Sequence, residues 1–392
     1  MPNRTEASTP FCSLPFENLV VYDPQHFRPC YRMAKIKTDK PLAPNEMFLH
    51  PSMQQVRESF QQGHWPAFCE TCRVQEASQR SSTRMRLSKT RENTSLREPK
   101  IQSLDLNFSN QCQGVCRLCS SSVSSGWYAL DKELHDLPEN PFHRGAFPPK
   151  NDFPLLNIDD FRQIKVLEFS SSEVFEQSKT RAFIQKLSMQ TFAGGIRLKI
   201  MTTLASLPSE QWLQCLCRFA NVDIFLSIDG VGKANEYLRH PLKWDGLVQN
   251  LHALLDFAHK QDSITPHLHT AITAYNLFEL DSLHDWWQSM GLSNTSHVLL
   301  SHPYYLAPHV LPQKVLDEAI AYCKSFNLAQ ALGKPHNFSE DAYSLFLRFT
   351  HFLDQKQGQN LQQALPILHQ LIANDFAKLS HFVDPVAPTS YV

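Results

Sequence analysis

Three closely spaced cysteines are the strongest chemical signal in this sequence. Cys112, Cys116 and Cys119 follow the pattern C-x3-C-x2-C. Three thiolates can hold a four-iron cluster while one iron stays open to bind another molecule. A cluster bound by four thiolates usually only carries electrons or supports the fold. The spacing therefore predicts an iron–sulfur site that takes part in chemistry.

Four other cysteines precede this triplet and form a second candidate metal site. Cys12 and Cys30 are far apart in the chain, whereas Cys69 and Cys72 form a C-x2-C pair. Four thiolates complete either a second four-iron cluster or a tetrahedral zinc site, and the spacing alone leaves both open. Because nothing in the sequence suggests secretion, we expect metal ligands rather than disulfides.

The pattern of apolar residues places the triplet at the end of a β-strand. Between about residues 100 and 303, strand-like and helix-like segments alternate as six βα units. Such alternation requires a parallel sheet, either doubly wound or curled into a barrel, with its chemistry at the carboxyl ends of the strands. The predicted strands are Ile101–Phe108, Ile164–Ser170, Ile196–Thr203, Val222–Asp229, His267–Thr273 and His297–His302.

The regions on either side of these units predict two further parts. Residues Leu14–Asp23 are expected to form a strand that turns at Asp23-Pro24 and returns towards Cys30. Helical periodicity resumes after residue 308. The sequence therefore predicts a small N-terminal cysteine-rich α+β domain (1–98), a central α/β domain (99–308) and a helical C-terminal extension (309–392).

The composition of the chain excludes several classes of protein. Its 392 residues are 42% hydrophobic and 19% charged, with a formal net charge of −1. A nearly neutral chain has no global basic face for nucleic acid. No apolar run reaches the length of about 18 residues that a membrane span needs, and the start does not resemble a signal peptide. We expect a cytoplasmic protein without nucleic-acid or membrane partners.

Further motifs at the later strand ends, together with the triplet, resemble the radical S-adenosylmethionine (radical SAM) enzymes. Ser171-Ser172-Glu173 stands in the place of the family's Gly-Gly-Glu element, Thr203 ends the third strand, and Ser227-Ile228-Asp229-Gly230 is followed by Arg239. The resemblance implies a partial (β/α)6 TIM-like barrel. It also implies that Glu173 accepts a hydrogen bond from the SAM amino group, that Ser227 and Arg239 hold the SAM ribose and carboxylate, and that Thr203 contacts the ribose or the substrate.

In this family the open iron binds the methionine part of SAM. An electron from the cluster then cleaves the sulfonium bond, and the released 5'-deoxyadenosyl radical abstracts a hydrogen from the substrate. The resemblance therefore makes Cys112, Cys116 and Cys119 the catalytic centre. Ser171 and Ser172 are expected to narrow or repolarise the SAM pocket, because the family's glycines allow close approach of the backbone. Beyond the fifth strand, we expect Asn276 to cap the next helix.

The first hundred residues resemble a twitch domain, a short auxiliary-cluster module related to SPASM domains. The resemblance implies that Cys12, Cys30, Cys69 and Cys72 bind a second [4Fe-4S] cluster. A flavodoxin or ferredoxin would be the reductant. The segment Arg73–Lys100 carries eight basic and three acidic residues and could face such an acidic donor, the substrate or solvent.

The substrate is left open by the sequence, and a peptide or a small polar metabolite is the expectation. The alternatives are a non-catalytic iron–sulfur or zinc-binding protein on a degenerate radical SAM fold, and a structural protein that uses its cysteines as zinc ligands. An intact open-iron motif argues against the first alternative. The number of cysteines argues against the second alternative. Groups of three and four cysteines would leave one of two tetrahedral zinc sites without its fourth ligand.

Overall fold

The computed structural model describes residues 10–77, 82–88, 98–150, 154, 156–333 and 338–378, with only the backbone described at 86–88. These residues form a mixed α/β fold around one nine-stranded, mostly parallel sheet. Within the basic segment Arg73–Lys100, residues 78–81 and 89–97 lie outside the described residues.

Seven parallel strands and an antiparallel edge hairpin make up the described sheet, in the order β3-β2-β1-β4-β5-β6-β7-β8-β9. From β4 to β9 the neighbours follow chain order. All six predicted strands are confirmed, as β4 to β9. The strands are β1 (Asn18–Asp23), β2 (His26–Arg28), β3 (Ile36–Lys37), β4 (Ser103–Leu106), β5 (Val166–Phe169), β6 (Arg197–Thr202), β7 (Asn221–Ser227), β8 (Ile264–Ile272) and β9 (Thr295–Leu299).

The two faces of the sheet differ in burial. Leu198 and Ile224 point to one face and are 0% exposed in the large hydrophobic core. Lys199, Phe225 and His267 alternate with such residues and are only partly buried. One face is therefore covered, and the other keeps polar and aromatic side chains accessible to a bound molecule.

Helices connect the parallel strands and continue after the last one. No described helix combines the length and apolar character that a membrane crossing requires. The helices are α1 (Leu14–Glu17), α2 (Pro44–Phe48), α3 (Pro51–Gln61), α4 (Glu70–Ala77), α5 (Thr83–Ser88), α6 (Tyr128–His135), α7 (Ser178–Ser188), α8 (Glu210–Leu216), α9 (Lys233–Leu238), α10 (Trp244–Ala258), α11 (Leu280–Ser289), α12 (Gln313–Tyr322), α13 (Leu328–Leu332), α14 (Glu340–Gln357), α15 (Leu361–Ala364) and α16 (Pro366–Lys378).

The N-terminal region joins the central sheet. The prediction of a strand from Leu14 was wrong for its first four residues, which form α1. Pro15 lies in the first turn of this helix, where a missing N–H costs nothing and the fixed φ favours helix. Strand β1 then pairs in parallel with β4, from Asn18 opposite Ser103 to Val21 opposite Leu106. The domain boundary after residue 98 stays a prediction.

Candidate functional site

The triplet cysteines lie in the loop that follows β4. Cys112 and Cys116 are buried, and Cys119 is half-buried. A Cβ atom placed on Gly114 would lie 3.3 Å from the Sγ atoms of both Cys112 and Cys116. The N–H of Gly114 donates to Cys112 Sγ, with the two atoms 3.3 Å apart. The missing side chain of Gly114 therefore leaves space between two of the thiols.

A second close approach fixes this loop. The Gly126 N–H donates to the carbonyl of Cys112 at 2.9 Å. A Cβ on Gly126 would lie 2.8 Å from the backbone oxygen of Gln113, so the contact requires glycine. The indole N–H of Trp127 donates to the carbonyl of Cys116 at 2.9 Å. Residues 126 and 127 thus hold the backbone that carries two of the cysteines.

The Arg239 segment, residues 238–240, runs beside the cysteine loop, residues 112–119. The backbone N–H groups of Val115 and Arg117 donate to the carbonyls of His240 and Leu238, at 2.6 and 2.9 Å respectively. Arg239 lies between these two acceptors and is only 5% exposed. The pairing therefore fixes the position of Arg239 relative to the triplet.

The Arg239 side chain contacts both Asp229 and Cys116. Its Nε lies 2.7 Å from Asp229 Oδ2, and both residues are buried. We regard the contact as a buried ion pair. A hydrogen bond from the Cys119 thiol and the charge of Arg239 lower the pKa of Cys116. A buried cation beside a buried carboxylate suits a ligand that carries both an amine and a carboxylate.

Glu173 and Thr203 meet where β5 and β6 end. Glu173 is 0% exposed. Its Oε2 accepts from the N–H and hydroxyl of Thr203 at 2.7 and 2.6 Å, and its Oε1 accepts from the Thr202 hydroxyl at 2.5 Å and the Phe175 N–H at 3.3 Å. Burial raises the pKa of Glu173, against the opposing effect of the threonine donors. These four donors fill the roughly four lone-pair sites of a carboxylate. A ligand amine can bind Glu173 only if a donor such as the Thr203 hydroxyl turns away.

The second of the two serines before Glu173 has a backbone conformation that glycine adopts freely. Ser172 has a φ of 65°, in the left-handed region that glycine adopts freely and that costs other residues about 1–2 kcal/mol. Its hydroxyl donates to the Ser109 carbonyl at 2.7 Å. Ser172 therefore holds a strained conformation that glycine would adopt freely, and its hydroxyl is bonded to the segment before the triplet.

Asn276 does not cap the following helix, and that prediction was wrong. Helix α11 begins at Leu280, with Glu279 preceding it. Asn276 is instead fully buried, and its Nδ2 donates to the carbonyls of Asp229 and Ala271, both at 3.0 Å. It connects the ends of β7 and β8 and so helps to position Asp229.

A cavity of about 280 Å³ opens beside the triplet. Cys112, Cys116 and Thr203 line it. Glu173 is bonded to Thr203, and Arg239 contacts Cys116, so both are adjacent to the lining. Ser227, the last residue of β7, is 8% exposed and is not among the lining residues. The other lining residues are Gln113, Gly114, Glu176, Ala205, Pro241, Leu242, Lys243, Gly246 and Leu247.

The four N-terminal cysteines also converge. Cys12, Cys30, Cys69 and Cys72 line one small cavity of about 20 Å³. Burial, with the neighbouring thiols, raises the pKa of Cys12 and of Cys69 to about 12. A bound metal would reverse this effect, because it coordinates the deprotonated thiolate. The donor set therefore suits a thiolate-bound metal group.

No three His, Cys, Asp or Glu side chains in the described part of the chain are close enough to share one metal ion. A four-iron cluster sets a different requirement, because each thiolate binds its own iron.

A polar cluster around Asp105 was not expected from the sequence. Asp105 of β4 is 4% exposed, and its Oδ2 accepts from the Tyr31 hydroxyl and, at 2.7 Å, from the Ser170 hydroxyl. Burial, followed by the charge of Glu168, raises the pKa of Asp105 to about 7. The only sequence signal was a carboxylate interleaved among apolar strand residues. The cluster links Tyr31, which follows Cys30, to the strand that precedes the triplet.

Comparison with known proteins leaves the family open. No protein-family model and no curated protein matches this chain. Among solved structures, anSMEcpe with bound AdoMet matches at 13% identity and a TM-score of 0.34, over 65% of this chain and 61% of that chain. Streptococcus suis SuiB bound to S-adenosylmethionine matches at 11% identity and a TM-score of 0.37, over 81% of this chain and 69% of that chain. The chain thus aligns with about three fifths of anSMEcpe, and scores this low do not establish a shared activity.

Proposed function

We propose that this chain is a radical SAM enzyme on a partial (β/α)6 barrel, with a [4Fe-4S] cluster bound by Cys112, Cys116 and Cys119. The observation that carries the proposal is the pairing of the cysteine loop with the Arg239 segment. It lies beside the buried ion pair of Arg239 and Asp229. When bound, the cluster supplies the electron that cleaves SAM, so that a 5'-deoxyadenosyl radical can abstract a hydrogen from the substrate.

The residues around the triplet would bind and orient SAM. The guanidinium of Arg239 can donate to the SAM carboxylate with the paired geometry that a carboxylate accepts. Glu173 would accept from the amino group once the Thr203 hydroxyl rotates, and that hydroxyl would then be free for the ribose or the substrate. Ser227 would hold the ribose from the end of β7.

We also propose that Cys12, Cys30, Cys69 and Cys72 bind a second [4Fe-4S] cluster in a twitch-like N-terminal domain. The convergence of these four thiols on one cavity supports this assignment over separate roles. A cytoplasmic flavodoxin or ferredoxin would deliver electrons. The substrate would be a peptide or a small polar metabolite, bound on the partly exposed face of the sheet.

Anaerobic reconstitution with iron and sulfide tests the proposal. We expect roughly eight irons per chain, four for each cluster, and slow formation of 5'-deoxyadenosine from SAM after reduction. Cys116→Ala should abolish this cleavage, whereas Cys72→Ala should lose about half the iron and retain some cleavage. Zinc in place of iron, or full cleavage by Cys116→Ala, would contradict the assignment.

One observation favours a second candidate, a non-catalytic iron–sulfur protein on the same fold. All lone pairs of Glu173 are already used by Thr202, Thr203 and Phe175. If these donors never leave Glu173, its carboxylate cannot accept a hydrogen bond from the SAM amino group. Iron bound without any SAM binding or cleavage would support this candidate over the enzyme.

A further inference from the structure

Arg117 lies between the second and third cysteines of the triplet, and its side chain points away from them into the protein. The residue is 0% exposed. Its Nε donates to the carbonyl of Tyr237 at 3.0 Å, and its Nη2 donates to Asp354 Oδ1 and, at 3.0 Å, to Gln359 Oε1. The guanidinium carbon also lies 3.5 Å from the centre of the Tyr237 ring. A loop residue that separates two cysteines is therefore held by the distant C-terminal helices.

The last residue of α14 and the segment just after it contact both sides of the pairing between the cysteine loop and the Arg239 segment. Gln357 Nε2 donates to the carbonyl of Val115 in the cysteine loop, at 3.0 Å. Gln359 Nε2 donates to the carbonyl of Glu236, just before the Arg239 segment, also at 3.0 Å. The same group of C-terminal residues thus holds the two segments whose separation determines how close Arg239 is to Cys116.

Asp354 is the acidic partner of the buried Arg117 cation. Its Oδ1 accepts from Arg117, and its Oδ2 accepts from the backbone N–H of Leu361 at 3.0 Å. A buried guanidinium is stable only with a compensating charge, so removing the carboxylate charge should loosen Arg117 rather than leave it in place. A planar guanidinium also donates in several fixed directions, so lysine cannot reproduce the contacts with Tyr237, Asp354 and Gln359 at once.

We propose that Arg117 is a positioning residue, through which the C-terminal helices hold the cysteine triplet against Arg239. This inference rests on the proposed function, because it assigns the C-terminal helices a role in SAM binding. Loss of the Arg117–Asp354 contact should let the backbone pairs from Val115 to His240 and from Arg117 to Leu238 open. A bound cluster would then keep its thiolates, but the arginine meant for the SAM carboxylate would move relative to it.

The test compares Asp354→Asn with Asp341→Asn in the full, reconstituted chain. Both variants remove one acidic charge from α14, and Asp341 is exposed in the first turn of that helix. The double variant Arg117→Met, Asp354→Leu replaces the ion pair by apolar side chains. It removes the contact without leaving an unpaired buried charge, so it separates loss of the contact from a general loss of folding. Each is measured for iron content, for hydrogen exchange of the 115–117 amides, and for KM and kcat of uncoupled SAM cleavage.

We expect Asp354→Asn to retain its iron, to exchange the 115–117 amides faster, and to raise the KM for SAM roughly tenfold, since misplacement of a binding group by about 1 Å can cost up to ~10²-fold. The double variant should fold and show the same rise in KM, while Asp341→Asn should match the unchanged chain. Unchanged exchange and an unchanged KM in Asp354→Asn would overturn the inference. Asp354→Asn could exchange the 115–117 amides faster while the unchanged chain cleaves no SAM. That result would support the positioning role and refute the proposed function.

Discussion

The glycine between the first two cysteines offers a sharp test of the cluster assignment. In Gly114→Ala the new Cβ would lie 3.3 Å from the sulfur atoms of both Cys112 and Cys116. The φ of Gly114 is outside the left-handed region, so alanine can adopt the same backbone conformation. The effect of the substitution should therefore come from the contact with the two sulfurs alone.

The size of the effect follows from packing. Ordinary contacts between carbon-sized atoms are about 3.5–4.0 Å, so each sulfur must retreat by a few tenths of an ångström. Thiols bound to separate irons of one cluster cannot both move freely. Overpacking of this kind costs about 1–3 kcal/mol, which corresponds to roughly 5- to 150-fold weaker retention of the cluster.

The assay is iron retention under a chelator, measured in a Cys72→Ala background so that the triplet supplies the signal. Gly246→Ala is the matched control, because Gly246 lines the same cavity and a Cβ there meets nothing within 4 Å. Gly246 lies in α10, where alanine is favoured over glycine by about 1 kcal/mol, so the control should be at least as stable. Equal iron retention by Gly114→Ala and Gly246→Ala would refute the reasoning.

Three further substitutions test the surrounding structure, each by urea denaturation. Gly126→Ala places a Cβ 2.8 Å from a backbone oxygen of Gln113 and should lower the free energy of unfolding by about 1–3 kcal/mol or more; an unchanged value would contradict the close approach. Glu173→Gln turns a donor towards Thr203 or Phe175 and should cost about 1–3 kcal/mol at pH 7, whereas no loss would mean that the four bonds do not form. The pKa of Asp105 is raised from 3.8 to about 7. The contribution of its carboxyl group to the free energy of unfolding is therefore complete below pH 3.8 and is lost as the pH rises through 7. Asp105→Asn should remove this pH dependence, which is worth up to about 4 kcal/mol. If the free energy of unfolding varies with pH in the same way in both proteins, Asp105 is not its source.

Strand positions could be predicted because they depend on local alternation. Leu198 and Ile224 point into the core, and their polar neighbours Lys199 and Asp223 identify strands that are buried on one face. The predicted start of β8 at His267 was wrong by three residues, and the strand includes Pro266, which lacks the N–H that a central strand needs. The structure explains its presence: β9 pairs with β8 only from Leu268 onwards, so β8 has a neighbour on one side alone at Pro266.

The contacts that shape the candidate site could not be predicted in the same way. Arg117 and Asp354 are 237 residues apart, and no local pattern joins them. The roles of Gly114 and Gly126 depend on which atoms approach their missing Cβ atoms, which only the folded chain determines. Sequence spacing identified the groups that could do chemistry, whereas their hydrogen-bond partners are set by long-range packing.

The parallel pairing of β1 with β4 has a consequence for electron transfer. Cys30 follows β2 and Cys112 follows β4, and both of these strands pair with β1, so the two cysteine sites are attached to one hydrogen-bonded sheet. Their separation cannot change by a hinge between independent bodies. The rate of electron tunnelling falls steeply with distance. If electrons pass between the two sites, the distance would therefore be constant, and the rate would depend on the reduction potentials of the sites rather than on a slow closing motion.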